Sequence, residues 1–187
     1  MNKKEFLNIL MEHKKLGFQN QIDYNKFYLY SIVTHSTAIE GSTMTEIDNQ
    51  LLFDEGLTAK GKSIIEQNMN LDLKASYERS MELAKAHTPI SIGVLKHLAS
   101  LVMRRTGGEV NVFSGSFDSS RGDLRLVNVT AGAGGKTYMN YLKVPQKLEE
   151  FCKEINERRK ELLESPDIYE QYKLSFYAHL KLVTIHP

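Results

Sequence analysis

SPDIYEQYKLSFYAHLKLVTIHP, running from Ser165 to Pro187, places Tyr169, Tyr172, Leu174, Phe176, Tyr177, Leu180, Leu182, Val183 and Ile185 around nearly the whole circumference of a helix. A helix that is apolar on all sides predicts a central, buried rod that begins near Ser165-Pro166. Proline disfavours helical geometry at the residue before it, so the rod is predicted to end at His186. Just upstream, Leu148, Phe151, Cys152, Ile155, Leu162 and Leu163 form a stripe at spacings of three, four and seven, and Pro145 suits the first turn. The charged residues between them, such as Glu149, Lys153, Glu157 and Lys160, read as a solvated face. Cys152 lies on the apolar stripe and reads as a small buried hydrophobe rather than a nucleophile.

Further out, three more helices are predicted. One opens at Thr88-Pro89, runs through Val94, Leu95, Leu98, Leu101 and Val102 past Arg104 and Arg105, and stops at Gly107-Gly108. Another runs from about Lys62 into the eighties through Ile64, Ile65, Met69, Leu71 and Ala75. A third covers Asp23 to Glu40 through Phe27, Tyr30, Ile32, Val33 and Ile39. From Arg121 to Tyr141 the pattern changes. Leu124, Leu126, Val127 and Val129 precede the Ala131-to-Gly135 turn, and Thr137, Tyr138 and Met139 follow it, which predicts a β-hairpin. A lone hairpin is marginally stable, so this one is expected to act as a flap packed on helices. The fold class is all-α, a helical bundle with one β-hairpin flap. No repeat or low-complexity linker separates independent domains.

Composition removes several function classes. The chain has 187 residues with 24 Lys+Arg against 23 Asp+Glu, a formal charge of +1, so no overall field draws it to nucleic acid or an anionic membrane. With one cysteine, an intramolecular disulfide and a cysteine-based zinc site are ruled out, and a reducing compartment fits. Residues Met1 to Phe18 interleave charges with apolar positions and lack a signal-peptide core. The longest near-apolar run, Phe176 to Ile185, is too short to span a bilayer. A cytoplasmic protein is expected.

Three local patterns bear on chemistry. Gly132-Ala133-Gly134-Gly135-Lys136-Thr137 imitates the end of a phosphate-binding loop, but Thr130 stands where the first glycine is needed, and there is little room for the helix that must follow before Pro145. The hairpin turn is the better reading. The six histidines include no pair spaced for a helical metal site. His186 ends the most apolar helix. A histidine there suits a general base near neutral pH, but on physics alone a plain polar helix end, where a cation is favoured by the helix dipole, is the better reading. Ser36 and Glu40 share a helix face, with Gly41 as the stop. A carboxylate at the negative end of a helix is unfavourable, which fits either a solvent-facing side chain or another purpose.

Read together, three segments resemble the Fic family, specifically its members with an inhibitory helix N-terminal to the catalytic core. Ser36-Thr37-Ala38-Ile39-Glu40-Gly41 is similar to the family's inhibitory pattern, and Ser42-Thr43-Met44-Thr45 to what commonly follows it. The hairpin from Asp123 to Met139 sits where the family has its substrate-docking flap. Ala178 to Pro187 is similar to the helix that leads into the catalytic motif His-Pro-Phe-x-Asp/Glu-Gly-Asn-Gly-Arg, of which this chain holds His186-Pro187. The resemblance implies a Fic-like helical bundle, with an N-terminal inhibitory region at 1–57 and a core at 58–187. It also implies a protein adenylyltransferase that moves AMP from ATP, with Mg²⁺, onto a Ser, Thr or Tyr hydroxyl of a target protein.

In that reading His186 is the base, and Glu40, with Ser36 and Gly41, is the autoinhibitory brake. Leu124, Arg125, Leu126, Val127, Asn128 and Val129 offer backbone groups to an extended target by strand addition. No metal ligand is assigned, because the family's ligand, phosphate cradle and arginines follow the position of Pro187. The expected partners are ATP and a protein substrate, with homo-oligomerisation left open. Two rivals are a non-catalytic helical interaction module and a Fic-fold transferase of another phosphate-containing group.

Overall fold

The computed structural model describes residues 1–187 except 21, 133, 136 and 187. Among the described residues are seven α-helices and one two-stranded antiparallel sheet. The helices are α1 (Lys3–Lys15), α2 (Tyr24–Ile39), α3 (Glu46–Gln50), α4 (Ile64–Lys85), α5 (Ile92–Val102), α6 (Val144–Glu164) and α7 (Ile168–Ile185), and the strands are β1 (Glu109–Val112) and β2 (Gly115–Asp118). The all-α class with a single hairpin holds. No described helix is long and apolar enough to cross a membrane. Two compact units emerge, residues 1–86 with 101–107 and residues 87–100 with 108–187.

In the first unit the helices start on side-chain caps. Asn2 with Glu5, Thr45 with Asp48 and Ser63 with Glu66 each form a reciprocal capping box, and Asp23 caps α2 through the Lys26 amide at 3.1 Å. The apolar core of this unit is small: Met44, Leu52 and Ala59, with Phe53 and Leu71 against them. The sequence stripes on α2 and α4 are only partly buried. Val33 is enclosed, but Phe27, Ile32, Ile39, Ile64 and Ile65 are exposed. What α4 buries instead is polar: Gln67, Asn70, Asp72 and Ser76. Asp72 is fully enclosed and is held by the Arg105 amide at 2.7 Å and by the Arg105 guanidinium. Apolar periodicity missed much of what these helices bury, because hydrogen bonds as well as hydrocarbon join them.

The second unit is built on α6 and α7. Val144, Leu148, Phe151, Cys152 and Ile155 of α6 pack with Leu174 and Ile185 of α7. Beside this core, Glu154 accepts from Tyr177 Oη at 2.5 Å and pairs with Lys181, contacts that hold its carboxyl below the usual range. Burial pushes the Cys152 thiol up, as suits a core residue. Three expectations are corrected here. Helix α7 begins at Ile168 rather than near Ser165, because Asp167 caps it through the Tyr169 amide at 3.0 Å. Nor is α7 buried all round, since Tyr172, Phe176, Leu180 and Val183 are exposed. Helix α5 likewise starts at Ile92, with Ser91 Oγ taking the Val94 amide at 3.2 Å, so Thr88-Pro89 lies ahead of it.

The hairpin also lies elsewhere. The regular ladder pairs Glu109 with Asp118 and Val112 with Gly115, whereas the described residues of the 121–141 stretch form two arms with one bridge between them, Thr130 to Thr137. Side chains take the backbone groups a ladder would use. Ser114 Oγ donates to Leu126 O, Arg125 donates to Val127 O at 2.7 Å, and Asn128 Oδ1 accepts from the Tyr141 amide at 3.1 Å. Gly122 anchors the start of this segment, with φ at +69°, where a Cβ would stand 1.9 Å from Lys96 O.

Candidate active site

The end of α2 is built around a buried polar cluster. Helix α2 closes at Ile39, Glu40 is its C-cap residue, and Gly41 turns the chain at φ +94°. Ser36, Glu40 and Gly41 are all exposed. The neighbouring Thr37 is 2% exposed, and its hydroxyl bonds Val33 O at 2.9 Å and Asn70 Oδ1 at 2.9 Å. Asn70 is fully enclosed. Its Oδ1 also accepts from Asn49 Nδ2 at 2.9 Å, and its Nδ2 donates to Ser42 Oγ at 3.1 Å and Glu66 O at 2.8 Å. Asn49 Nδ2 reaches Thr34 Oγ1 at 2.8 Å. Thus α2, α3 and α4 are joined by one network whose members are mostly uncharged, and it holds rigid the helix end that presents Glu40.

The turn after α2 is pinned as well. Glu66 Oε1 accepts from the Thr43 amide and hydroxyl, both at 2.7 Å, while its Oε2 caps Ser63, and these donors bring its carboxyl down to about 2. Met44 is buried and Ser42 Oγ takes its amide at 3.3 Å. Each of the Ser42-to-Thr45 residues therefore has a local task.

In the second unit His186 is the C-cap of α7, with φ 47° and ψ 71°, and its amide donates to Leu182 O at 2.8 Å. The chain leaves the helix there as expected, but into the left-handed region, which costs a non-glycine residue about 1–2 kcal/mol. Something must hold it. The imidazole is exposed and stacks on Tyr138, with ring centroids 4.2 Å apart and planes at 18°. Beneath it lies Arg125, 6% exposed, whose guanidinium donates to His186 O at 2.7 Å, Ile185 O at 3.3 Å, Val127 O at 2.7 Å and Met139 O. A helix ends with carbonyls that lack partners and with partial negative charge, and a buried cation serves both. Burial lowers the basicity of this guanidinium.

The flap residues thus have separate roles. Arg125 points inward. Val127 is exposed, the carbonyl of Leu126 is taken by Ser114 Oγ, and those of Val127 and Val129 are taken within the segment, that of Val129 by the Tyr138 amide at 3.1 Å. The glycine tip is a tight turn in which a Cβ on Gly135 would stand 1.7 Å from Ala131 O, and no helix opens directly after Thr137. Ala133 and Lys136 of the phosphate-loop look-alike, and Pro187 of the catalytic motif, lie outside the described residues. Among the described residues no group of three or more His, Cys, Asp or Glu could hold a metal ion. An apolar pocket of about 400 Å³, lined by Ile90, Ile155, Leu162, Leu174 and Ala178, opens along the first half of α7 and includes none of the expected site residues.

Sequence reasoning missed Thr37, Asn49, Asn70 and Tyr138. Small polar residues in a helical pattern, Asn70 above all, were the available signal for the first three.

No family model matches the chain. It is 27% identical over 163 residues to the protein adenylyltransferase fic-1 of Caenorhabditis elegans and to that of Caenorhabditis briggsae, covering 86% of this chain and 28% of each relative. A solved fragment of C. elegans Fic-1 with a Glu-to-Gly substitution superposes with a TM-score of 0.60 at 22% identity, over 90% of this chain and 44% of that one. A second Fic-1 structure gives 0.53 at 19% identity, over 100% of this chain and 57% of that one. The architecture is therefore the Fic-like helical fold. Over most of its length the chain is similar to curated Fic-1 proteins, and it spans just over a quarter of the length of those relatives.

Proposed function

We propose that this chain is part of a protein adenylyltransferase that transfers AMP from ATP to a hydroxyl of a target protein and is restrained by its own N-terminal helix. One observation carries the reading: the imidazole at the end of α7 is exposed and rests on Tyr138 of the flap, so a proton acceptor and a segment suited to hold a target adjoin each other. Similarity to proteins named as adenylyltransferases supports the class of reaction.

His186 takes the proton of the target Ser, Thr or Tyr hydroxyl as its oxygen bonds to the α-phosphorus of ATP, and pyrophosphate leaves. A histidine suits this task because imidazole changes charge between pH 5 and 8. The target docks on the flap at its exposed residues, Val127 and Asn128. Mg²⁺ would balance phosphate charge. The described residues do not fit a metal site, so none is assigned to it and no step runs through it. Glu40 is the brake, carried on a helix end that the Thr37–Asn70 network keeps in place, and Ser36 shares its exposed face. A cytoplasmic location, with Cys152 kept reduced, completes the proposal.

The test uses this chain joined to the residues that complete the catalytic motif. Glu40→Gly raises incorporation of AMP into protein, and adding His186→Ala removes it. No change in either variant rejects the assignment.

A further inference from the structure

Arg125 lies within the stretch expected to present target-binding groups, yet its side chain does something else. A guanidinium has five N–H donors in a rigid plane, and here they reach two carbonyls at the end of α7, Ile185 O and His186 O, and one on each arm of the flap, Val127 O and Met139 O. The arginine is therefore the joint between the helix end and the flap. The bond to His186 O, at 2.7 Å, falls on the very residue whose backbone is left-handed and whose ring lies on Tyr138. Tyr138 itself is on the flap arm next to Met139, so one side chain controls both halves of the stacked pair.

We propose that Arg125 is a positioning residue for His186: by tying the α7 carbonyls to both flap arms it sets the left-handed turn that lays the imidazole against Tyr138. The word positioning rests on the reading of His186 as a base, whereas the geometric claim does not. A lysine keeps a positive charge at the helix end, but its three donors on a single nitrogen cannot span four carbonyls in a plane. Charge alone is therefore insufficient, and the fork is what matters.

The test is a carbon-edited NMR spectrum of the 187-residue chain labelled at histidine, with the His186 ring signals assigned by their loss in His186→Gln. Stacking on Tyr138 shifts those signals upfield, and Tyr138→Leu abolishes the shift. Arg125→Lys is expected to abolish it too, while the signals of His13, His35, His87, His97 and His179 stay in place. In Arg125→Ala, added guanidinium at low concentration is expected to restore it. Unchanged His186 signals in Arg125→Lys overturn the proposal. So does collapse of all six histidine signals in both variants, which would make Arg125 a general folding residue. Since nucleotide transfer is not the readout, a chain that transfers nothing would sink the functional reading and leave this one standing, and the converse holds as well.

Discussion

Replacing Asn70 with alanine removes the centre of the network that fixes the end of α2. Four hydrogen bonds go: those from Thr37 Oγ1 and Asn49 Nδ2 to its carbonyl oxygen, and those from its amide nitrogen to Ser42 Oγ and Glu66 O. Thr37 keeps Val33 O, and Asn49 keeps Thr34 Oγ1 for one of its two N–H groups. The second Asn49 N–H is stranded in a site with no exposure, beside an Asn49 Oδ1 that already lacks a protein partner. At about 0.5–1.5 kcal/mol per net bond, with the stranded donor adding to it, the loss comes to about 3 kcal/mol. For a chain of this size that lowers Tm by about 6–12 °C.

Urea unfolding and hydrogen exchange across residues 33–49 measure it, the latter with protection expected to fall about 100-fold. Ser36→Ala, on the exposed side of the same helix, is the control and is expected to stay within about 0.5 kcal/mol of the parent. If Asn70→Ala costs no more than Ser36→Ala, the network is not what holds this helix end. On the reading of Glu40 as a brake, Asn70→Ala also raises AMP transfer, by less than Glu40→Gly does.

Three further outcomes follow from named contacts. Glu66 titrates at about 2 in the folded chain, below its ordinary value, so its contribution is present above the unfolded pKa of about 4.5 and is lost as pH falls toward 2; melting curves should show this acid-limb slope reduced in Glu66→Gln. Gly122→Ala drives a Cβ into the Lys96 carbonyl at a positive φ and should cost about 2 kcal/mol or more by chemical denaturation, whereas Gly108→Ala, with open space around it, should cost much less. Cys152, 7% exposed with its thiol pushed up, should resist a thiol reagent in the native chain and react on unfolding; native-state modification at the rate of a free thiol would refute its core assignment.

Legibility in the sequence followed the type of force involved. Helix α6 was readable along most of its stripe because Leu148, Phe151, Cys152 and Ile155 bury hydrocarbon at helical spacing, although Leu163 of the same stripe is exposed. Helices α2 and α4 were readable as helices but not as packed surfaces, since hydrogen bonds among Thr34, Thr37, Asn49 and Asn70 have no periodic apolar trace. The 121–141 stretch was read as a regular hairpin, whereas the ladder lies at 109–118, because alternation at Leu124 and Leu126 and at Val127 and Val129 says nothing of an arginine that captures carbonyls from three segments. His186 was singled out by Pro187 beside it and by the end of an apolar run. Its partner Tyr138, about fifty residues upstream, left no local signal. The β1–β2 ladder was passed over although Val110, Val112 and Phe117 flank a two-residue turn.

The most direct measurement places radioactive phosphorus separately at the α and γ positions of ATP and supplies each to the motif-completed chain carrying Glu40→Gly. The account predicts that the α label is retained on protein, that the γ label is not, and that His186→Ala removes the α label. Retention of the γ label, or of no label at all, contradicts it.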